Sequence, residues 1–381
     1  MPAVYNWAFK YGPSSTTFTT DVLSWSCFLG RQNFQDQYSG NRFQITIKNQ
    51  NNQAANFTRG TQVIVLNDLG GNFLGGKVNR VDYNDYPGNI GLSTATLICD
   101  DAVAQAGRFY LEAFTGYNTS EATTAQAVRT NFSYTGFNSP PVVTYGTGGS
   151  TASATASYNG TMLNRLNLLQ RTEQGQIWTG YDAVNGDKVL FLSRSQISNL
   201  STVSLTRTTD GISSIKYTDL RRIQAGDNFM NYVTVNPDAL AVQTASNTTS
   251  ITAYGRAGYQ INTVDATTTQ AANNASWLAN SQGDPAVFRF EIDFDSATSP
   301  NGIYSFITEL VFYRNVTNQL TYRVPGAGSD TTIPVVIEGL SVSGTPTVSR
   351  FTAYASPATY YQFFTLNSST YGILNTSRLG W

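Results

Sequence analysis

What most constrains this chain is a period-two alternation of apolar and polar residues, recurring between tight turn signals. In Phe43-Gln44-Ile45-Thr46-Ile47-Lys48 the apolar side chains share one face and the polar ones the other. A strand with one buried face needs that pattern, and a helix with 3.6 residues per turn cannot use it. Far along the chain, Phe288 to Asp295 repeats it, with Phe290, Ile292 and Phe294 inward and Glu291, Asp293 and Asp295 outward. β-Branched and aromatic residues extend the same preference, and Gly, Asn and Asp supply turns, so the expected fold is mainly β with minor α.

At 381 residues the chain is long enough for several domains. Only 12% of residues are charged and the formal net charge is −1. Such a surface is neutral and hydrogen-bonding, and it lacks the basic footprint of a protein that grips nucleic acid through its phosphates. The sequence contains no histidine and two cysteines, Cys27 and Cys99, without metal-binding spacing. Zinc or haem would lack its usual ligands, so no cofactor or metal is expected, and the cysteines read as small core residues. No phosphate-cradling or dinucleotide glycine motif is present, and no serine or cysteine has a histidine to activate it. No apolar run approaches the length of a membrane helix, and Met1 to Trp7 does not read as a secretion signal, so the expectation is cytoplasmic synthesis without membrane insertion.

Along the chain, Val63 to Leu66 reads as a short buried strand, Asp68 to Asn72 as a tight turn, Gly75 to Val81 and Leu92 to Cys99 as strands, and Asp100 to Gly107 as a short helix with an acidic first turn and a glycine stop. Several antiparallel strands closed by one helix suggest a small barrel. Thr119 to Thr130 reads as a further helix ended by Ser139-Pro140-Pro141, and Gly146 to Ser157 as a connector. Met162, Leu163, Leu166 and Leu169 form the stripe of an amphipathic helix that stops near Gly175. A hairpin follows, with strands Gln176 to Tyr181 and Lys188 to Ser193 and an Asn185-Gly186 turn. Thr267 to Asn280 is an alanine-rich helix with Ala271, Ala275 and Leu278 on one face.

The last residues carry an aromatic pair and a sparse signature: Tyr360-Tyr361, Phe364, Leu366-Asn367, Gly372-Ile373-Leu374 and Leu379-Gly380. This resembles the terminus of the minor tail proteins that form the baseplate, or tail-tip, hub of long-tailed bacteriophages. That family is related to the central hub of contractile tails and to type VI secretion spikes. Further matches lie in order along the chain: Gly30-Arg31, Gly75-Gly76-Lys77-Val78, Leu97 to Ala102 with Asp100 and Asp101, Glu173 and Gly175, Leu192-Ser193-Arg194, and Ser250 to Arg256 with Tyr254 and Gly255.

The resemblance implies two tube-like β-barrel domains, a small α/β domain and a helix-containing insertion. The expected division is 1–120 for the first barrel, 121–198 for the α/β domain, 199–262 with 331–381 for a discontinuous second barrel, and 263–330 for the insertion. It also implies a homotrimeric ring at the virion tail tip, assembled in the host cytoplasm. The implied partners are a distal tail or tail tube protein, a tape-measure protein and downstream tail fibre or spike proteins, with only passing contact with phage DNA.

Two groups invite a chemical reading. The carboxylates Glu291, Asp293 and Asp295 suit a metal cluster or a glycosidase pair, but a solvated sheet face is the simpler account. If that strand faces a channel, its acids repel passing DNA phosphate. Asp100-Asp101 suits a cation, but acids at a helix start are already stabilised by free N–H groups. Tyr83, Tyr86 and Tyr110 read as packing or interface residues before they read as a sugar platform. The expected function is therefore structural and non-enzymatic. The alternatives are a carbohydrate-recognising adhesion module and, behind it, a carboxylate glycosidase.

Overall fold

The computed structural model describes residues 6–361, apart from 13, 41, 68–70, 133–140, 147, 183–185, 198–199, 225–228, 286–287 and 314. Strand takes up 46% and helix 24%, so the protein is mainly β with minor α, as the alternation implied.

The first unit is built from β1 (Trp7–Tyr11), β2 (Val22–Gly30), β3 (Arg42–Lys48), β4 (Gln62–Asn67), β5 (Asn72–Asn84) and β6 (Thr94–Asp100). They pair in the order β2-β3-β6-β5-β4-β1. In β3 the buried residues are Phe43, Ile45 and Ile47, facing the buried Cys99, Leu97 and Ala95 of β6. Trp7 fills the centre, its ring centroid 4.8 Å from that of Trp25 and 4.9 Å from that of Phe73. Each such aromatic removes well over 100 Å² from water, on the order of 2–3 kcal/mol of driving force. Cys27 and Cys99 are free and buried, and burial pushes both thiols up, so they act as small apolar residues. The strand expected from Leu92 begins at Thr94, because Ile90–Leu92 turns as a short 3-10 segment.

Helix α1 (Ala102–Ala106) follows. Asp101, not Asp100, begins it: one Asp101 oxygen accepts the Ala104 amide at 2.7 Å and the other the Thr179 hydroxyl at 2.8 Å. Asp100 is still part of β6. The helix does stop at Gly107, but with right-handed backbone (φ −67°), so the stop does not depend on glycine's freedom.

A smaller unit contains α2 (Thr123–Phe132), β7 (Val142–Tyr145), α3 (Met162–Glu173), β8 (Gln176–Asp182) and β9 (Gly186–Leu192), with strand order β7-β9-β8. Thr161 caps α3, which buries Met162, Leu166 and Leu169, while Leu163 is half-buried. The β8–β9 hairpin is buried on both faces for a specific reason. Trp178, Leu190 and Leu192 face the large core shared with the β units, and Ile177, Val189 and Phe191 face a second core under α3. The turn residue Asn185 lies outside the described residues. The expected connector is partly ordered by Glu173, whose buried carboxylate accepts the Gly149 and Ser150 amides at 3.0 and 2.8 Å and the Thr123 hydroxyl at 2.9 Å.

The strands from Leu200 onward are β10 (Leu200–Thr206), β11 (Ser214–Lys216), β12 (Asp219–Gln224), β13 (Tyr232–Pro237), β14 (Gln243–Ser246), β15 (Gly258–Thr263), β16 (Phe288–Asp295), β17 (Thr317–Tyr322), β18 (Thr331–Gly344) and β19 (Ser349–Pro357). Helices α4 (Thr248–Tyr254), α5 (Thr268–Ser281) and α6 (Pro300–Ile307) intervene. Strands β16 and β17, placed by the sequence division in an insertion, belong to the large sheet: β16 pairs with β12 and β19, and β17 with β10 and β18. Strands β13, β14 and β15, assigned to the second barrel, instead form a separate three-stranded sheet that packs on α5. Thr267 caps α5, and Ala271, Ala275 and Leu278 are buried as the stripe required.

Asp265, between β15 and α5, is fully buried; it accepts the Thr263 hydroxyl at 2.6 Å and the Asn274 amide at 2.9 Å. Burial pushes its carboxyl up to about 6 despite these bonds. An unfolded aspartate titrates near about 3.9, so in the window between the two values the folded protein holds a proton the unfolded chain has released. Stability from this group therefore falls as pH rises through that window. Lowering the pH from about 7 to about 5 should stabilise the wild type by about 1 kcal/mol relative to Asp265→Asn. Urea melts of both proteins at the two pH values measure this, and parallel pH dependence would contradict it.

Candidate assembly surface

The two β units join along one seam. Strand β18 pairs with β17 over Thr331–Val336 and with β2 over Gly339–Gly344, while its other edge carries β19. One sheet thus runs without a break from the first unit into the second. At the crossing point Gly339 lies opposite Gly30. Gly30 has φ +80°, and a Cβ there would lie 2.2 Å from the Glu338 carbonyl oxygen; a Cβ on Gly339 would lie 2.4 Å from that of Arg31. The backbones approach so closely that only glycine fits.

Between Ile337 and Gly339 the β18–β19 register shifts, and Glu338 is the extra residue. This bulge places its carboxylate in the interior, fully buried. Arg31 Nε donates to Glu338 Oε2 at 2.9 Å, and Arg31 Nη2 donates to the Tyr361 hydroxyl at 2.7 Å. That hydroxyl donates to Glu338 Oε1 at 2.6 Å, and Gln176 Nε2 donates to Glu338 Oε2 at 3.2 Å. The guanidinium also lies 5.1 Å from the Phe34 ring centroid. Four parts of the chain, around residues 31, 176, 338 and 361, therefore meet on one buried ion pair. Sequence reading singled out Gly30-Arg31 and Tyr361 but missed Glu338, whose signal was a lone carboxylate in the apolar run Val335-Val336-Ile337-Glu338-Gly339-Leu340.

The solvent-facing side of this sheet is largely neutral. In register across the strands, Asp293 faces Thr352, Thr352 faces Ser341, and Ser341 faces Phe28; Ser343 faces Ser26, Ser26 faces Gln44, and Thr46 faces Thr96. Glu291, Asp293 and Asp295 lie at one side of this face, half-buried and each already engaged. Arg221 donates to Glu291 at 3.2 Å, Thr352 donates to Asp293 at 2.6 Å, and the Ala297 and Thr298 amides donate to Asp295 at 2.9 and 2.8 Å. Asp219 stands opposite Asp293, and Arg350 opposite Asp295. The row is thus a mixed-charge edge of a hydroxyl-rich face. No group of three or more potential metal ligands gathers among the described residues.

The other singled-out residues are dispersed. Asp100 is buried beneath Arg42 and Arg108. Tyr254 is exposed at the end of α4, its ring centroid 6.3 Å from that of Phe229. Gly255 ends that helix with φ +83°, its carbonyl accepting Asn231 Nδ2 at 2.7 Å. Tyr83, Tyr86 and Tyr110 are all exposed and none is in the core; Tyr83 lies near the end of β5, and Tyr86 shares the β5–β6 connection with exposed Ile90 and Leu92. Phe364, Leu366, Asn367, Gly372, Leu374, Leu379 and Gly380 lie outside the described residues.

No protein-family model and no curated protein matches the sequence. Solved structures do match. The tail protein from Neisseria meningitidis MC58 superposes with a TM-score of 0.60 at 10% identity, covering 94% of this chain and 98% of that one. The 43 kDa tail protein of prophage MuSo2 from Shewanella oneidensis superposes with a TM-score of 0.56 at 14% identity, covering 93% and 98%. Both matches run through the two β units and the part between them, and at these identities they speak to architecture: the chain shares the fold of these two tail proteins.

Proposed function

We propose that this chain is a structural protein of a phage tail, and more specifically the tail-tip hub. Three copies form a ring that adapts a six-fold tail tube or distal tail ring to a three-fold tip and surrounds the DNA exit path. The observation that carries this reading is the continuous sheet that β18 threads through both β units. Two β units held rigidly in one subunit present six comparable surfaces when repeated three times. The hydroxyl-rich face suits a wall past which a charged polymer must slide, because most of it carries no charge and, at its acidic edge, Glu291 and Asp295 sit beside Arg221 and Arg350. The expected neighbours are a distal tail or tube protein, a tape-measure protein and a fibre or spike protein. The role in this reading is structural and non-enzymatic, which the fold shared with the two tail proteins supports.

Negative-stain electron microscopy with light scattering on the concentrated protein tests the proposal. Three-fold rings with a central hole and three times the subunit mass are expected. A particle that stays monomeric at high concentration and binds immobilised glycans would overturn the hub reading in favour of an adhesion module.

A further inference from the structure

Where the first β unit meets α1 and α3, cations gather in a chain that has only 23 lysines and arginines. Arg42 at the start of β3 and Arg108 just past α1 both ion-pair with Asp100, Arg42 through Nε at 3.2 Å. Lys77 of β5 stands opposite Asp100 on its other side; burial pushes the Asp100 carboxyl up, against the opposing pull of Arg108, Arg42 and the more distant Arg59. The acid is buried, with 1% of its side chain exposed, whereas Arg42 and Arg108 keep 62% and 36% of theirs in solvent. Asp100 thus anchors two guanidiniums from below. Each has five N–H donors, so most of them remain available above it.

Those two arginines flank an open cleft of about 490 Å³, completed by Ser39, Gly40, Gly107 and Leu163. Its floor is fixed: Gly40 has φ +77°, and a Cβ there would lie 2.4 Å from the Ala104 Cα. We infer that this cleft docks a carboxylate of a neighbouring protein chain, an Asp or Glu side chain or a chain terminus, gripped by Arg42 and Arg108 with its aliphatic stem against Leu163. Paired, pre-positioned guanidiniums match a carboxylate two donors to two acceptors. A nucleic-acid backbone is the poorer fit. It needs cations repeated along its path, and the adjoining sheet face offers Gln44, Thr46 and Thr96 instead. The inference stands apart from the ring proposal, since it concerns one cleft in one subunit.

Fluorescence anisotropy with a labelled peptide of alternating Glu and Ser, beside an unstructured DNA oligonucleotide and inorganic phosphate, tests it. The peptide should bind in a salt-sensitive manner and more tightly than the oligonucleotide. Replacing both arginines and the acid together (R42Q, R108Q and D100N), which leaves no uncompensated buried charge, should weaken peptide binding at least about tenfold. Ser39→Glu, which sets a competing carboxylate on the lip without touching the ion pairs, should do the same even if the triple variant fails to fold. Peptide affinity unchanged in Ser39→Glu, or tighter binding of the oligonucleotide, would overturn the inference.

Discussion

Glu338→Ala should destabilise the protein by about 3–5 kcal/mol, because it strands a buried guanidinium. Arg31, Gln176 and Tyr361 all donate to this one carboxylate, and a neutral side chain cannot balance the guanidinium's charge at a site with no exposure. Chemical denaturation followed by tryptophan fluorescence would measure the loss. A second variant tells the loss of a partner from the worth of the pair itself. Replacing both members with apolar residues of similar size, Arg31→Met with Glu338→Leu, should cost much less than Glu338→Ala alone, since no charge is left buried without its counterion. A single substitution costing less than about 1 kcal/mol would mean that the seam does not depend on the ion pair.

Gly30→Ala should be comparably damaging for a different reason. The backbone there is left-handed, which costs a non-glycine residue about 1 kcal/mol or more, and the new methyl would also meet the Glu338 carbonyl at 2.2 Å and the Gly339 Cα at 2.9 Å. Relief requires β2 and β18 to separate, so the loss should exceed about 3 kcal/mol and weaken the near-ultraviolet signal of the packed tryptophans. Gly60→Ala is the control. It has φ +92° and open space around it, so it carries the backbone strain without the collision and should cost about 1 kcal/mol. Equal effects at the two positions would show that strain alone, and not the close approach of the strands, dominates at Gly30.

Much of the fold was legible in the sequence because its signals are local. Alternation marked β3 and β16, the apolar stripe marked α3, and Thr267 with its alanines marked α5. The pairing of β2 with β18 was not legible: neither strand's pattern carries its partner's register, and more than 300 positions separate residues such as Cys27 and Val342, which lie opposite. The same blindness explains Asp100. Read with its neighbours it is an acid at a helix start, and only the fold brings Arg42 over it. Strands β16 and β17 were assigned to an insertion on the family resemblance, and no local signal in them carries their pairing with the large sheet. Sequence reading also expected a neutral, hydrogen-bonding surface, and the face spanning β19 to β6 has that character, since composition is a property that needs no register.

The β2–β18 seam also bears on how the protein is made. Because β18 follows β2 by more than 300 residues, β2 must wait with one edge uncovered while the intervening chain is synthesised. Contacts between such distant segments form slowly, and an open strand edge invites pairing with the wrong chain. A chain cut short of β18 therefore lacks the strand that joins the two β units, so truncated copies cannot build the continuous sheet at all.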